Sequence, residues 1–213
     1  MTFADVFLQT DHALSVKFPH YLGIYERHFR PFCGQPVHVL EIGVGGGGFL
    51  QVLQTYFGPT ATIHGLDAKL EQVMVKPSGL LLQGFQEDTE ALRRVCDQIR
   101  SLDIVIDDGG HRPAEQLASF RHLFPHLKTP GLYVVEDTQL SYAPAFRGAE
   151  TFMAYVKDRL DDLNAWFAEP GDPPATDFTK SAYAIHVYLN LVIFEKALVS
   201  VSSPIRVGTL PHA

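Results

Sequence analysis

Between residues 37 and 137, five apolar runs alternate with segments of helical period: "VHVLEIG" (37–43), "TIHGLD" (62–67), "GLLLQG" (79–84), "DIVIDD" (103–108) and "GLYVVED" (131–137). Runs that are apolar almost throughout mark parallel strands covered on both faces. "GFLQVLQTYF" and "TEALRRVCDQIR" supply helices between them, and this alternation specifies a doubly wound α/β fold. The tail "AYAIHVYLNLVIFEKA" (182–197) is two further strand runs around Leu189-Asn190, which reads as an antiparallel hairpin on one sheet edge. The expectation is a mostly parallel seven-stranded sheet in a single domain over 1–213. It carries an N-terminal helical region (1–35) and a substrate-side insert (138–181). Tyr21, Ile24, Tyr25 and Phe29 stand at helical spacing and place a helix over roughly 12–32.

A chain of 213 residues suits one such domain. Its net charge of -7 argues against binding nucleic acid through a basic face. The N-terminus "MTFADVFLQTDHAL" lacks the basic start and apolar core of a signal peptide, and no apolar run is long enough to span a membrane. Cys33 and Cys96 have no metal-type spacing and read as reduced packing residues of a cytoplasmic protein.

In doubly wound sheets, ligands bind outside the carboxyl ends of the strands. Glu41, Asp67, Asp107, Asp108, Glu136 and Asp137 all fall there. "LEIGVGGGGFL" (40–50) follows a strand and opens a helix, and Gly43, Gly45 and Gly48 fit G-x-G-x-x-G, so a dinucleotide must be weighed. Glu41, two residues before Gly43, favours S-adenosylmethionine instead and resembles the E-x-G-x-G turn of class I methyltransferases. An acid there repels a pyrophosphate but can serve the ammonium of methionine. Asp67 ends the next strand, where a carboxylate accepts the ribose hydroxyls in either cofactor class. Gln86, Glu87 or Asp88 could meet an adenine edge, though as plain sequence the stretch reads better as a solvated helix start with Asp88 as its N-cap.

Neighbouring strands lie about 4.8 Å apart, so Asp108 should converge with Glu136 and Asp137. Three carboxylates with no Lys or Arg adjacent in sequence repel one another unless a cation joins them. Hard oxygen ligands select Mg²⁺, with Mn²⁺ or Ca²⁺ as substitutes, over Zn²⁺. Asp107 stays outside that metal shell, facing the cofactor or bracing the loop. His111 follows Asp108 by one glycine-containing turn and can return toward the metal as a general base.

"LEIGVGGGGFL", "IDDGGH", "SFRHLFPHLKTPGLYVVEDTQLSY" and "IHVYLNLVIFEK" resemble the metal-dependent sugar O-methyltransferases of macrolide biosynthesis, and "TDHALSVKFPHYLGIYERHF" resembles that family's opening helix. The resemblance implies that Asp108, Glu136 and Asp137 hold Mg²⁺ while His111 takes the proton of a sugar hydroxyl. Where the family shows Gly-Asp-Gln near the adenine, this chain has Gly84-Phe85-Gln86. The expected activity is S-adenosylmethionine-dependent methylation of a hydroxyl on a glycosylated small molecule, by a chain free to form homo-oligomers. The first helix, the loop after Tyr142 and the Pro-rich stretch 168–180, as surface loop or lid, would shape the substrate pocket. The rival readings are a catechol-type methyltransferase, a cephalosporin-hydroxylase-like relative with iron in the acidic site, and a non-catalytic nucleotide-binding module.

Overall fold

The computed structural model of the protein describes residues 1–9, 11–167, 169, 171–172, 174–199 and 207–208. Its centre is a seven-stranded sheet of order β3-β2-β1-β4-β5-β7-β6. The strands are β1 (His38–Ile42), β2 (Thr62–Asp67), β3 (Leu81–Gln83), β4 (Leu102–Asp107), β5 (Leu127–Glu136), β6 (Ala182–Tyr188) and β7 (Leu191–Lys196). The first five pair in parallel, whereas β7 runs antiparallel to both β5 and β6. The expected doubly wound sheet and its C-terminal hairpin are both present, with the hairpin turning at Leu189-Asn190. Strand order reverses between β1 and β4, so a crevice opens at their carboxyl ends.

Helices α1 (Phe3–Phe7), α2 (Pro19–Phe29) and α3 (Gly48–Phe57) cover one face. There Tyr21, Tyr25, Phe29 and Phe49 pack on Val39, Ile63, Ile104 and Val134. Helices α4 (Thr89–Gln98), α5 (Pro113–Leu123) and α6 (Phe152–Asn164) cover the other. Leu92, Val95, Phe120, Phe152 and Val156 meet Leu40, Val105, Tyr133 and Val135 on that side. A strand buried on both faces has no polar side to display, which is why β1, β4 and β5 read as continuous apolar runs.

Two stretches differ from the sequence expectation, and one expected cap is present. Residues 12–18 are not helical: Pro19 is the first helical residue of α2, and the ring of a proline disfavours helix at the residue before it. Asp88 does cap α4, its side chain accepting the Glu90 N–H at 2.9 Å. Within 138–181, the expected substrate-side insert, to which no helix was assigned, α6 runs for 13 residues from an N-cap at Thr151, and a short α7 (Asp177–Ser181) follows. Parts of the stretch 168–180 lie outside the described residues, namely 168, 170 and 173. No helix among the described residues is long and apolar enough to cross a membrane.

Candidate active site

The turn after β1 is built on glycines that need their freedom. Gly43, Gly45 and Gly47 all have positive φ, at 85°, 53° and 90°. A Cβ on Gly43 would also lie 2.2 Å from the carbonyl oxygen of Asp108, so the β1 and β4 loops meet only because that side chain is absent. The turn is tied to β2: the Gly45 N–H donates to Asp67 Oδ2 (2.9 Å), and the Lys69 N–H donates to Asp67 Oδ1 (2.8 Å). Beside it lies a cavity of about 410 Å³ whose lining includes Gly43, Asp67, Phe85, Gln86, Gly109 and Gly110. Glycine backbone at a switch point, with a carboxylate on the next strand, suits a nucleoside with ribose hydroxyls.

Glu41 is buried in β1, and its Oε2 has no hydrogen-bond partner. Burial holds its pKa well above the ordinary carboxylate range; Lys17 opposes that rise, while Asp108, Glu136 and Asp67 add to it. A buried carboxylate oxygen without a donor lacks a compensating interaction, and the ammonium of a methionyl group would supply one.

Gln86 lies at the cavity beside the glycine turn, and Asp107 takes the second of its two expected roles, bracing the loop. Gln86 Nε2 donates to both Asp107 oxygens (3.0 and 3.2 Å), while its Oε1 accepts the Gly110 N–H at 2.7 Å. Asp107 also accepts from the Ser119 hydroxyl and is fully buried. Burial pushes its pKa up to about 6, against hydrogen bonds from Ser119, Gly109 and Gln86 that favour the ionised form. The structure therefore does not bring Asp107 to the cofactor cavity. It braces the 107–110 loop from behind, and Gln86 presents to the cavity a side chain whose amide is already engaged in that brace.

The acidic convergence expected from the strand ends is present, with a participant that the sequence did not reveal. Lys17, from the non-helical segment before α2, donates to Glu136 Oε1 and Oε2 (2.8 and 2.9 Å) and to Asp108 Oδ2. Its side chain is only 2% exposed. Burial alone would lower the pKa of Lys17, but Glu136, Asp108 and Glu41 more than offset this and hold it above its ordinary value. Glu136, equally buried, is pushed up to about 7 by desolvation despite Lys17, with Asp108 adding to the rise. The Tyr25 hydroxyl donates to Glu136 Oε1 as well. The expectation that a divalent ion joins these acids is thus corrected: an ammonium from 91 and 119 residues away already bridges two of them and offsets one of their charges.

What remains is a smaller group facing one gap. Asp108 Oδ1, Asp137 Oδ2 and His111 Nε2 stand within reach of one another, with His111 Nε2 at 3.9 Å from Asp108 and 3.8 Å from Asp137. All three ligand atoms lie within 4.8 Å of each other. The other Asp137 oxygen is occupied, accepting from Tyr21 Oη (2.8 Å) and Asn190 Nδ2 (3.0 Å). Two carboxylate oxygens thus remain for an incoming hard cation, so the donor set fits Mg²⁺. Glu136 fits as a further ligand only once Lys17 yields.

Backbone geometry marks the same spot. Three non-glycine residues among those described have positive φ: His111 (60°), Asp137 (53°) and Asn190 (61°). Such conformations cost roughly 1–3 kcal/mol each and persist where the surroundings impose them. These three converge: His111 faces Asp137, Asn190 donates to Asp137, and the Asn190 carbonyl is 2.8 Å from the Tyr21 hydroxyl. Lys17, Tyr21, Tyr25 and Asn190 are the members that sequence reasoning missed. The spacing of Tyr21 and Tyr25 was read as a core stripe, and their hydroxyls at the stripe's edge could have signalled more.

No protein-family model matches the chain. It is 39% identical over 190 residues to the 8-demethyl-8-(2-methoxy-alpha-L-rhamnosyl)-tetracenomycin-C 3'-O-methyltransferase of Streptomyces olivaceus, which covers 81% of this chain and 48% of that protein. It is 36% identical over 188 residues to the mycinamicin VI 2''-O-methyltransferase of Micromonospora griseorubida, covering 81% and 47%. The structure of the MycE methyltransferase of the mycinamycin biosynthetic pathway, in complex with Mg, SAH and mycinamycin VI, matches with a TM-score of 0.78 at 32% identity, over 92% of this chain and 53% of that one. The chain spans about half the length of the curated relatives it matches. In sequence and in fold, this chain is a class I methyltransferase relative of the tetracenomycin and mycinamicin sugar O-methyltransferases.

Proposed function

We propose that the chain transfers a methyl group from S-adenosylmethionine to a hydroxyl of a sugar carried by a natural product, with Mg²⁺ in the acidic site. The observation that carries the reading is the convergence of Asp108, His111 and Asp137 on one gap beside the glycine turn. The relatives' names place their methyl groups on sugars. The complex of MycE with Mg, SAH and mycinamycin VI supports the same choice of cofactor, ion and acceptor class.

In this reading Gly43, Gly45 and the backbone of the turn let the cofactor approach, Asp67 accepts its ribose hydroxyls and Glu41 serves its ammonium. Asp108, Asp137 and, with Lys17 displaced, Glu136 hold the ion. The ion, when bound, orients the acceptor and makes its hydroxyl more acidic. His111 takes the proton at Nε2, and the charge it gains is stabilised by the two carboxylates beside it. Next to Asp137 lies a second cavity of about 490 Å³, lined by Phe18, Tyr142, Met153, Val187, Leu189 and Asn190. Its apolar wall, with Tyr142 and Leu189 largely exposed, suits the aglycone to which the sugar is attached.

Incubation with methyl-labelled S-adenosylmethionine, Mg²⁺ and a panel of rhamnosylated and macrolide glycosides should label the glycosides and leave catechols and free aglycones unlabelled. Excess chelator should abolish the transfer and added Mg²⁺ restore it; undiminished turnover in chelator would remove the ion from the reaction. Calorimetry should show Asp67→Ala losing about ten- to hundredfold in affinity for S-adenosylmethionine, as expected for one or two charge-assisted hydrogen bonds. Unchanged affinity would take Asp67 out of the site.

A further inference from the structure

Far along α2 from Tyr21, a second group of ligating side chains closes on itself. His28, His186 and Glu195 each offer an atom within 4.8 Å of the others. The sheet explains the gathering. His186 pairs with Ile193 and Glu195 with Ala184, so His186 and Glu195 are diagonal neighbours on the face that α2 covers. His28 comes down from α2 onto the same spot.

We propose that His28, His186 and Glu195 form a binding site for a transition-metal ion of the Zn²⁺ type, which pins the end of α2 to the β6–β7 hairpin. Glu195 Oε1 is 2.9 Å from His186 Nε2 and 3.4 Å from His28 Nδ1. Ligands held tetrahedrally at the usual Zn–N and Zn–O distances stand roughly 3.3–3.5 Å from one another, close to both separations from Glu195, and the third side is within 4.8 Å. His28 Nε2 is 2.9 Å from the Tyr188 hydroxyl. In the tautomer whose Nε2–H donates to that hydroxyl, the Nδ1 lone pair faces the other two ligands, the arrangement ligating histidines generally use. Burial, followed by the neighbouring His186, lowers the pKa of His28 and favours the neutral ring that binds metal. Imidazole donors select this class of ion over Mg²⁺, so the site differs in kind from the oxygen-lined gap at Asp108 and Asp137. His186 and Glu195 are each about one-third exposed, which leaves a path for the ion and a fourth position for water.

The ion would act through α2. Tyr21 and Tyr25 of that helix hold Asp137 and Glu136, so anchoring its far end steadies the platform that positions both acids. The site does not depend on the methyl-transfer reading, and its test needs no substrate.

A second cluster, Cys96 with His122 and His126, could compete for the same ions, so the experiment starts from the Cys96→Ser protein. Titration with Co²⁺ in excess Mg²⁺ should give the intense visible bands of a four-coordinate site, without a thiolate charge-transfer band. Adding His186→Ala, or the conservative Glu195→Gln, should remove one equivalent of bound Co²⁺ together with those bands. Zn²⁺ should displace Co²⁺ from the parent protein. An identical stoichiometry and spectrum in parent and variants, or no four-coordinate Co²⁺ in the parent, would overturn the site and leave the three residues as a hydrogen-bonded cluster.

Discussion

Replacing His111 with Asn should lower kcat by about 10²–10⁴-fold, the range for loss of a positioned general base, while the affinities for Mg²⁺ and S-adenosylmethionine stay within a few-fold. Asn is chosen because His111 sits at φ 60°, a conformation Asn adopts with little strain, so the loop keeps its shape and only the base is lost. The expectation rests on position. Nε2 looks into the gap between Asp108 Oδ1 and Asp137 Oδ2, where a proton taken from an acceptor hydroxyl is flanked by two carboxylates. The same geometry offers His111 a rival role as third ligand of the ion. Calorimetry separates the two. A large loss of Mg²⁺ affinity alongside the loss of kcat would make His111 a ligand, and a variant with nearly full kcat would leave it a bystander.

The strand ends were legible because burial on both faces writes a strong local signal into β1, β4 and β5. The glycine turn was legible too, since only glycine permits Gly43 against the Asp108 carbonyl. Lys17 was not. A lysine between Val16 and Phe18 carries no periodic mark, and its partners Asp108 and Glu136 are 91 and 119 residues away. Pairing over such distances is decided by how layers pack, after which the buried ammonium, the buried Glu136 and the half-buried Asp108 must meet or pay desolvation. Asn190 illustrates a different limit. Its place in a two-residue hairpin turn explains its positive φ in local terms, which hides the fact that its amide reaches Asp137. Helix α6 went unread although Phe152, Val156, Leu160 and Leu163 recur at helical spacing, with Lys157, Asp158 and Asp161 on the other side.

Lys17→Met should produce the largest change in stability, and its sign should depend on the divalent ion. Met keeps an aliphatic stem of similar length and removes only the ammonium, whose nitrogen lies over the Phe49 ring 4.1 Å from its centre. Without added metal, Asp108, Glu136 and Glu41 lose the one cation among the described residues that touches the first two. Breaking a buried pair in this way costs about 3–5 kcal/mol, which for a chain of this size lowers Tm by roughly 6–20 °C. With saturating Mg²⁺ most of that loss should return, because the ion takes over the neutralising role. Affinity should move in the same sense. A unit charge about 5 Å from an incoming ion opposes it by roughly 3 kcal/mol per ion charge at an effective dielectric of 20. Removing Lys17 also releases Glu136 Oε2 and Asp108 Oδ2 as ligands, while Glu136 Oε1 keeps its hydrogen bond from Tyr25. Calorimetry should therefore give a Mg²⁺ Kd at least tenfold lower in the variant, and melting curves a larger Mg²⁺-dependent rise in Tm than in the parent protein. If the variant melted like the parent in chelator, Lys17 would not be what holds the acids together. If its Mg²⁺ affinity fell instead, the ammonium would be a partner of the ion, holding Glu136 in place for it, and the competition described here would be wrong.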